Sequence, residues 1–164
     1  MNVEKEIGID YGHRVPNHES KCFSPHGHRG RVIAVISGDL IEEEGDSQQG
    51  MVIDFSHIKK GLMEVADGVF DHAFVVWEDD DFANMLRGWN NTHDKRFKVV
   101  QVNYIPTAEN IASHIFQMLD RYLKNLFPPD ILLTEIKFYE TPNSVAIATR
   151  ADAGKRELKI VTRG

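Results

Sequence analysis

The sequence predicts an α+β domain: an antiparallel sheet with its helices on one face. Three observations predict it. Period-two hydrophobic alternation appears near both ends of the chain, and two helix-period stretches lie between. The order is strand, strand, helix, helix, strand, strand. The 164 residues suit one domain and are few for two, and 41% hydrophobic with 27% charged residues is a globular composition.

Each element follows from local pattern. From Val3 to Val15, residues Ile7, Ile9, Tyr11, His13 and Val15 share one parity, and Glu4, Glu6, Asp10 and Arg14 the other, as in a half-buried strand. Arg29–Gly38, rich in Val and Ile, is a second strand. Residues 38–50 are polar and acidic, a hairpin tip or surface loop. Met51–Phe55 is short and extended, and Asp54 or Ser56 caps the helix that follows. Ile58, Leu62, Val65 and Ala66 mark that helix, and Gly68 is expected to end it. Residues 78–98 carry Glu78, Asp79, Asp80, Asp81, Asn90 and Asn91 without a clear period and read as an exposed insertion. Lys98–Tyr104 alternates weakly. Pro106 and the natural cap Thr107 open the clearest helix, which runs to about Phe127 before Pro128-Pro129. Two strands follow, near Leu132–Glu140 and Ser144–Arg150, and the tail is expected to add a short one at Glu157–Val161.

Composition narrows the function classes. A net charge of −6 without a basic cluster does not suit holding a nucleic-acid backbone. No run approaches the roughly 18 apolar residues of a membrane span. Met1–Glu6 lacks the apolar stretch of a secretory signal. The single cysteine, Cys22, forms no intrachain disulfide and fits a reducing, cytoplasmic setting.

The eight histidines carry the chemical signal. In a strand, His26 and His28 of His26-Gly27-His28 point to the same side, about 6.6 Å apart along the backbone. Two such imidazoles can share a metal ion at ~2.0–2.1 Å each. His13 lies on the apolar parity of its strand, where an imidazole without a partner is costly to desolvate. If the first two strands pair antiparallel, His13 comes to His26 and His28, and three nitrogens with one open position is the pattern of a catalytic zinc. Cys22, four residues before His26, is either a fourth ligand, which closes the site, or a free thiol acting as a base. Asp71-His72 is an acid–imidazole pair suited to proton transfer. Ile136, Phe138 and Glu140 share one parity, so a carboxylate faces the core, where it could accept two parallel hydrogen bonds from an amidine-like ring edge. Glu109, in the first turn of the long helix, also complements the helix dipole. His57 and His114 are expected on solvated helix faces, His18 near the Cys22 loop, and His93 has no role.

These residues together resemble a known family. Tyr11-Gly12-His13-Arg14-Val15-Pro16, Lys21-Cys22 and His26-Gly27-His28 are similar to the metal-and-thiol signature of the 6-pyruvoyltetrahydropterin synthase family. The likeness continues, in order, through Gly50–Phe55, Asp71-His72, Pro106–Asn110 and Tyr139–Pro142. The three residues between Cys22 and His26 resemble the bacterial 6-carboxytetrahydropterin synthase branch. The resemblance implies a T-fold: a four-stranded antiparallel sheet with two helices on one face, in the order ββααββ. It further implies homo-oligomers, hexamers of stacked trimers or tetramers, with active sites between subunits. Residues 1–164 would form one such domain, with 78–98 as an insertion and 151–164 as a C-terminal extension. By the same resemblance His13, His26 and His28 hold Zn²⁺, Cys22 is the catalytic thiolate, and Asp71 and His72 are its proton-relay partners. Glu140 grips the pterin ring, and Thr107 and Glu109 help at the pocket. The implied substrate is 7,8-dihydroneopterin triphosphate, and the products are 6-carboxy-5,6,7,8-tetrahydropterin, triphosphate and acetaldehyde. The competing readings are elimination to 6-pyruvoyltetrahydropterin without carbon–carbon cleavage, and a structural zinc module with Cys22 as fourth ligand. A zinc deaminase of the two-cysteine form is excluded by the lone thiol.

Overall fold

A computed structural model describes residues 1–161. Strand β1 (Asn2–His13) pairs antiparallel with β2 (His26–Ser37), β2 with β5 (Leu132–Thr141), and β5 with β6 (Ser144–Thr149). These are the four strands expected. The sheet continues past β1, however: β3 (Ala73–Trp77) pairs parallel to β1, and β4 (Val99–Val102) parallel to β3. The result is a six-stranded mixed sheet in the order β4-β3-β1-β2-β5-β6, which corrects the expectation of a four-stranded antiparallel one. The reason lies in β3, Ala-Phe-Val-Val-Trp. Val75 and Val76 are consecutive yet both fully buried, so the strand is covered on both faces and shows no polar parity to read.

The β1 alternation holds. Ile7, Ile9, Tyr11 and His13 are buried, and the intervening residues are not. Strand β2 begins at His26 rather than Arg29, so His26 and His28 belong to the ladder.

Two helices cover one face. Asp54 accepts the Ser56 N–H at 2.6 Å and caps α1 (Phe55–Leu62). Gly68 does not end this helix. A π turn over Met63–Asp67 leads into α2 (Gly68–Phe70), with the Gly68 N–H donated to the Met63 carbonyl. The fully buried Phe70 draws the chain onward, which outweighs the glycine's low helix propensity. The long helix α4 (Ala108–Leu126) is capped by Thr107, whose hydroxyl accepts the Asn110 N–H at 3.4 Å. It packs across β5 and β6. It crosses α1 at Gly61, where a Cβ would lie 2.8 Å from Leu119 Cδ1 and 3.0 Å from the Tyr122 ring, so any larger residue would make those side chains shift. Ile9, Ile36, Ile58, Leu62, Ile111, Ile115, Leu119 and Phe138 fill the core between sheet and helices.

Residues 78–98 hold a helix, α3 (Asp81–Thr92), rather than an unstructured loop. Asp80 caps it, and only Ala83 and Leu86 of its residues are buried, too narrow a stripe to show as a period. The C-terminal segment forms the short α5 (Arg150–Ala153) and then lies along the outer edge of β4. There Ile160 makes a single antiparallel bridge to Val102, and the Val161 N–H donates to the Gln101 carbonyl at 2.7 Å. The expected strand at Glu157–Val161 is thus one bridge, and residues 162–164 lie outside the described part. No helix among the described residues is long and apolar enough to cross a membrane.

His114 corrects the expectation of a solvated ring: it is 3% exposed, and the Tyr104 hydroxyl bonds its Nδ1 at 2.7 Å. Burial lowers its pKa from 6.5 to about 4. An unfolded chain therefore takes up this proton first, so the contribution is complete above 6.5 and is lost as pH falls towards 4. The metal-free protein is expected to lose up to about 3 kcal/mol over this window from His114 alone. Urea unfolding at pH 7.0 and at about pH 4.5 checks this, with His114→Gln flattening the difference.

Candidate metal centre

The register of the first hairpin assembles the centre. His13 is directly opposite His26 and Tyr11 opposite His28, with Gly12 opposite Gly27 between them. All three imidazoles rise from one side of the sheet. Their ring centroids are 4.6, 4.9 and 5.2 Å apart, and one ring nitrogen from each lies within 4.8 Å of the other two. Gly27 makes this closeness possible: a Cβ there would stand 2.9 Å from the Tyr11 carbonyl, a backbone atom that cannot step aside. Gly27→Ala is expected to push β1 from β2, cost about 1–3 kcal/mol and lower metal affinity at least tenfold. Denaturant unfolding and competition with a chromophoric chelator measure the two effects.

Backbone carbonyls orient the rings. His13 Nδ1–H donates to the Pro106 carbonyl at 2.6 Å, and His26 Nδ1–H to the Ser24 carbonyl at 2.7 Å. A carbonyl only accepts, so each bond places the proton on Nδ1 and leaves the Nε2 lone pair free. The Nε2 atoms of His13 and His28 are buried without a hydrogen-bond partner. Burial also lowers the pKa of both rings, which keeps them neutral, as ligands must be. Orphaned, neutral, convergent nitrogens fit a divalent transition metal with a coordination position left over.

Glu140 lies at the same place. Its Oε1 is 3.4 Å from His13 Nε2 and 3.7 Å from His28 Nε2, and it accepts the Tyr11 hydroxyl at 3.3 Å. The parity of Ile136, Phe138 and Glu140 survives a register shift between Tyr139 and Thr141. Burial, then the neighbouring carboxylate, raises the Tyr11 pKa far above 10, so its hydroxyl stays a donor. Tyr11 and the carbonyls of Pro106 and Ser24 were not foreseen as site groups. Tyr11 could have been, because it shares the inward parity of His13.

Cys22 sits half-buried in the one-turn helix Lys21–Phe23 and is not among the three residues whose ligand atoms converge. Asp71 and His72 pair with each other. Asp71 accepts the Asp10 N–H at 2.7 Å and His72 Nδ1–H at 2.6 Å. The Asp10 amide first, with His72 and Lys98 behind it, holds the Asp71 carboxyl below the usual range. His72 is 78% exposed, and no hydrogen bond or ion pair among the described residues joins it to the three imidazoles. It shares with His26 and His28 the rim of a cavity of about 670 Å³, walled by Phe74, Phe82 and Phe97. Thr107 follows the Pro106 carbonyl that orients His13, whereas Glu109 is exposed on the first turn of α4.

The family model described as 6-pyruvoyl tetrahydropterin synthase matches residues 2–151. A 6-carboxy-5,6,7,8-tetrahydropterin synthase of Rickettsia conorii is 34% identical over 143 residues, 87% of this chain and 96% of that one. The enzyme of the same name from Haemophilus influenzae is 31% identical over 148 residues, 88% and 95% of the two chains. An uncharacterized protein of Wolinella succinogenes superposes with a TM-score of 0.74 at 25% identity, over 92% of this chain and 98% of that one. The Caenorhabditis elegans 6-pyruvoyl tetrahydropterin synthase shares the fold, with a TM-score of 0.61 at 21% identity over 91% and 94% of the chains. With the match running over nearly the whole of the described structure and through every element that builds the centre, the chain belongs to the 6-pyruvoyl tetrahydropterin synthase family.

Proposed function

We propose that this protein is a zinc-dependent lyase. It converts 7,8-dihydroneopterin triphosphate and water to 6-carboxy-5,6,7,8-tetrahydropterin, acetaldehyde and triphosphate. The observation that carries this is the pair of orphaned Nε2 atoms of His13 and His28, set with His26 beside a carboxylate. His13, His26 and His28 would hold the ion. When bound, zinc supplies a Lewis acid that makes C–H bonds beside the side-chain oxygens more acidic.

The remaining work falls to the chain itself. Cys22, as thiolate, removes a proton from the substrate side chain. His72, oriented by the Asp71 carboxylate, returns a proton, and triphosphate leaves by elimination. Cleavage of the side chain releases acetaldehyde. Oxidation of the side-chain carbon that stays on the ring to a carboxylate balances the reduction of the ring, so no redox cofactor is required. Glu140 accepts two hydrogen bonds from the 2-amino and N3 edge of the pterin, with Tyr11 steering its carboxylate. Thr107 and Glu109 complete the pocket at the start of α4. Copies of the chain assemble with sites between subunits, which accords with a His72 exposed and apart from the imidazoles in a single chain.

Incubation of the zinc-loaded protein with dihydroneopterin triphosphate tests the assignment. Equimolar acetaldehyde and 6-carboxytetrahydropterin are expected, whereas 6-pyruvoyltetrahydropterin without acetaldehyde would identify the sister activity. The curated relatives carry the carboxy name, which favours the first product.

A further inference from the structure

Residues 78–98 contact the rest of the molecule in several places, among them Arg87 to Gln101 and Phe82 to Phe74, and two of the contacts lie beside groups the proposed reaction uses. At one of these the carboxylate of Asp80, a residue 5% exposed, makes two bonds. Its Oδ1 accepts the Phe82 N–H at 3.0 Å, and its Oδ2 accepts Arg14 Nε–H at 2.8 Å. The Arg14 guanidinium lies 4.7 Å from the centre of the Phe23 ring and 5.6 Å from that of Phe82. Phe23 adjoins Cys22, and the Cys22 carbonyl accepts the Val15 N–H at 2.8 Å. A continuous chain of contacts thus runs from the cap of α3 through Arg14 to the turn that carries the thiol.

At the second point Lys98 Nζ donates to the Gly68 carbonyl at 3.0 Å and to the Asp71 carbonyl at 2.7 Å. Its own carbonyl accepts the Phe74 N–H at 2.8 Å, fixing it to β3. The Asp71 carbonyl directly precedes His72, the non-glycine residue with a positive φ, 54°, among those described. Such a backbone persists only where its surroundings over-determine it. The His72 N–H is tied to the Asp10 carbonyl at 2.6 Å and its ring to Asp71 at 2.6 Å. Lys98 adds a further tie, to the carbonyl of the peptide that enters His72.

We propose that the 78–98 segment is a positioning brace. Lys98 holds the Asp71–His72 turn in its left-handed conformation, and the Asp80–Arg14 pair fixes the Cys22 turn. Neither touches the substrate. The inference rests on the reaction proposed above, in which Cys22 and His72 move protons.

The full-length, zinc-loaded protein tests it through Lys98→Met, Lys98→Arg and Asp80→Asn. Lys98→Met is expected to keep its zinc and a KM within threefold of wild type while kcat falls at least tenfold. Lys98→Arg, still a donor to both carbonyls, recovers most of that loss. In protein labelled selectively at histidine, without substrate, the amide coupling that reports the positive φ of His72 changes in Lys98→Met and returns in Lys98→Arg. Asp80→Asn leaves that signal in place and raises the rate of Cys22 alkylation by iodoacetamide at least threefold. Arg14→Lys gives the same alkylation result with the α3 cap intact, should Asp80→Asn unfold. An unchanged kcat and His72 signal in Lys98→Met would overturn the brace at its second point. Unchanged alkylation in both Asp80→Asn and Arg14→Lys would overturn it at the first. Wild-type protein that turns over no pterin triphosphate, while His72 and Cys22 respond as stated, would overturn the reaction and leave the brace standing.

Discussion

Cys22→Ser is expected to bind zinc at the wild-type level and to lose turnover of dihydroneopterin triphosphate by about 10²–10⁴-fold, the usual worth of a positioned general base. Serine nearly matches the thiol in size, so the turn Lys21–Phe23 and its bond to Val15 remain. What disappears is the thiol itself, and an alcohol is a far weaker acid. The metal is expected to stay because the convergent ligand atoms are those of the three imidazoles, and Cys22 is not among them. Metal content by atomic absorption and steady-state kinetics on the same preparation read both halves. Loss of zinc in this variant would instead make the sulfur a fourth ligand and the centre a structural one. A thiol that is not a ligand can take a proton from a bound molecule without competing for the ion.

Much of this centre could be read from the chain because a strand pair imposes its own arithmetic. Alternation placed His13 inward with Ile7, Ile9 and Tyr11, and a two-residue step put His26 and His28 on a common side. Antiparallel pairing then closed the distance. The parity of Glu140 led to the same point from the far end of the sequence. What stayed hidden shared one cause: the signal was made by partners distant in sequence. Strand β3 has no polar parity, because both of its faces are covered. Helix α3 buries two residues, too few for a period. His114 lies between Asn110, Ser113 and Gln117 on one side and Ile111 and Met118 on the other, and only the fold brings Tyr104 to it. The Pro106 carbonyl that sets the tautomer of His13 lies 93 residues away and carries no side-chain chemistry at all. The pairing of Asp71 with His72, adjacent in sequence, was legible. The tie from Lys98 that steadies the turn was not, because it comes 27 residues later.

His13→Ala should have the larger effect on metal binding. One of the three convergent imidazoles is removed, and metal retention is expected to fall well beyond the 10–100-fold typical of losing a supporting bond to a ligand. Dialysis against a weak chelator, followed by metal analysis, should find the variant empty and the wild type loaded. The substitution also leaves the buried Pro106 carbonyl without its donor, a cost of about 1–3 kcal/mol that has nothing to do with the ion. The two losses separate on comparison with His13→Gln, whose amide can still donate towards Pro106 while being a much poorer ligand. Without metal, His13→Gln should unfold close to wild type and His13→Ala earlier. On adding zinc, the wild type alone should gain stability, by about 4 kcal/mol at a thousandfold excess over its dissociation constant. The core between sheet and helices contains none of the three rings except His13, at its rim, so the metal-free protein should remain folded. Equal zinc-induced stabilisation of the wild type and both variants would mean that the ion binds elsewhere, and the three imidazoles would then need another explanation for their orphaned nitrogens.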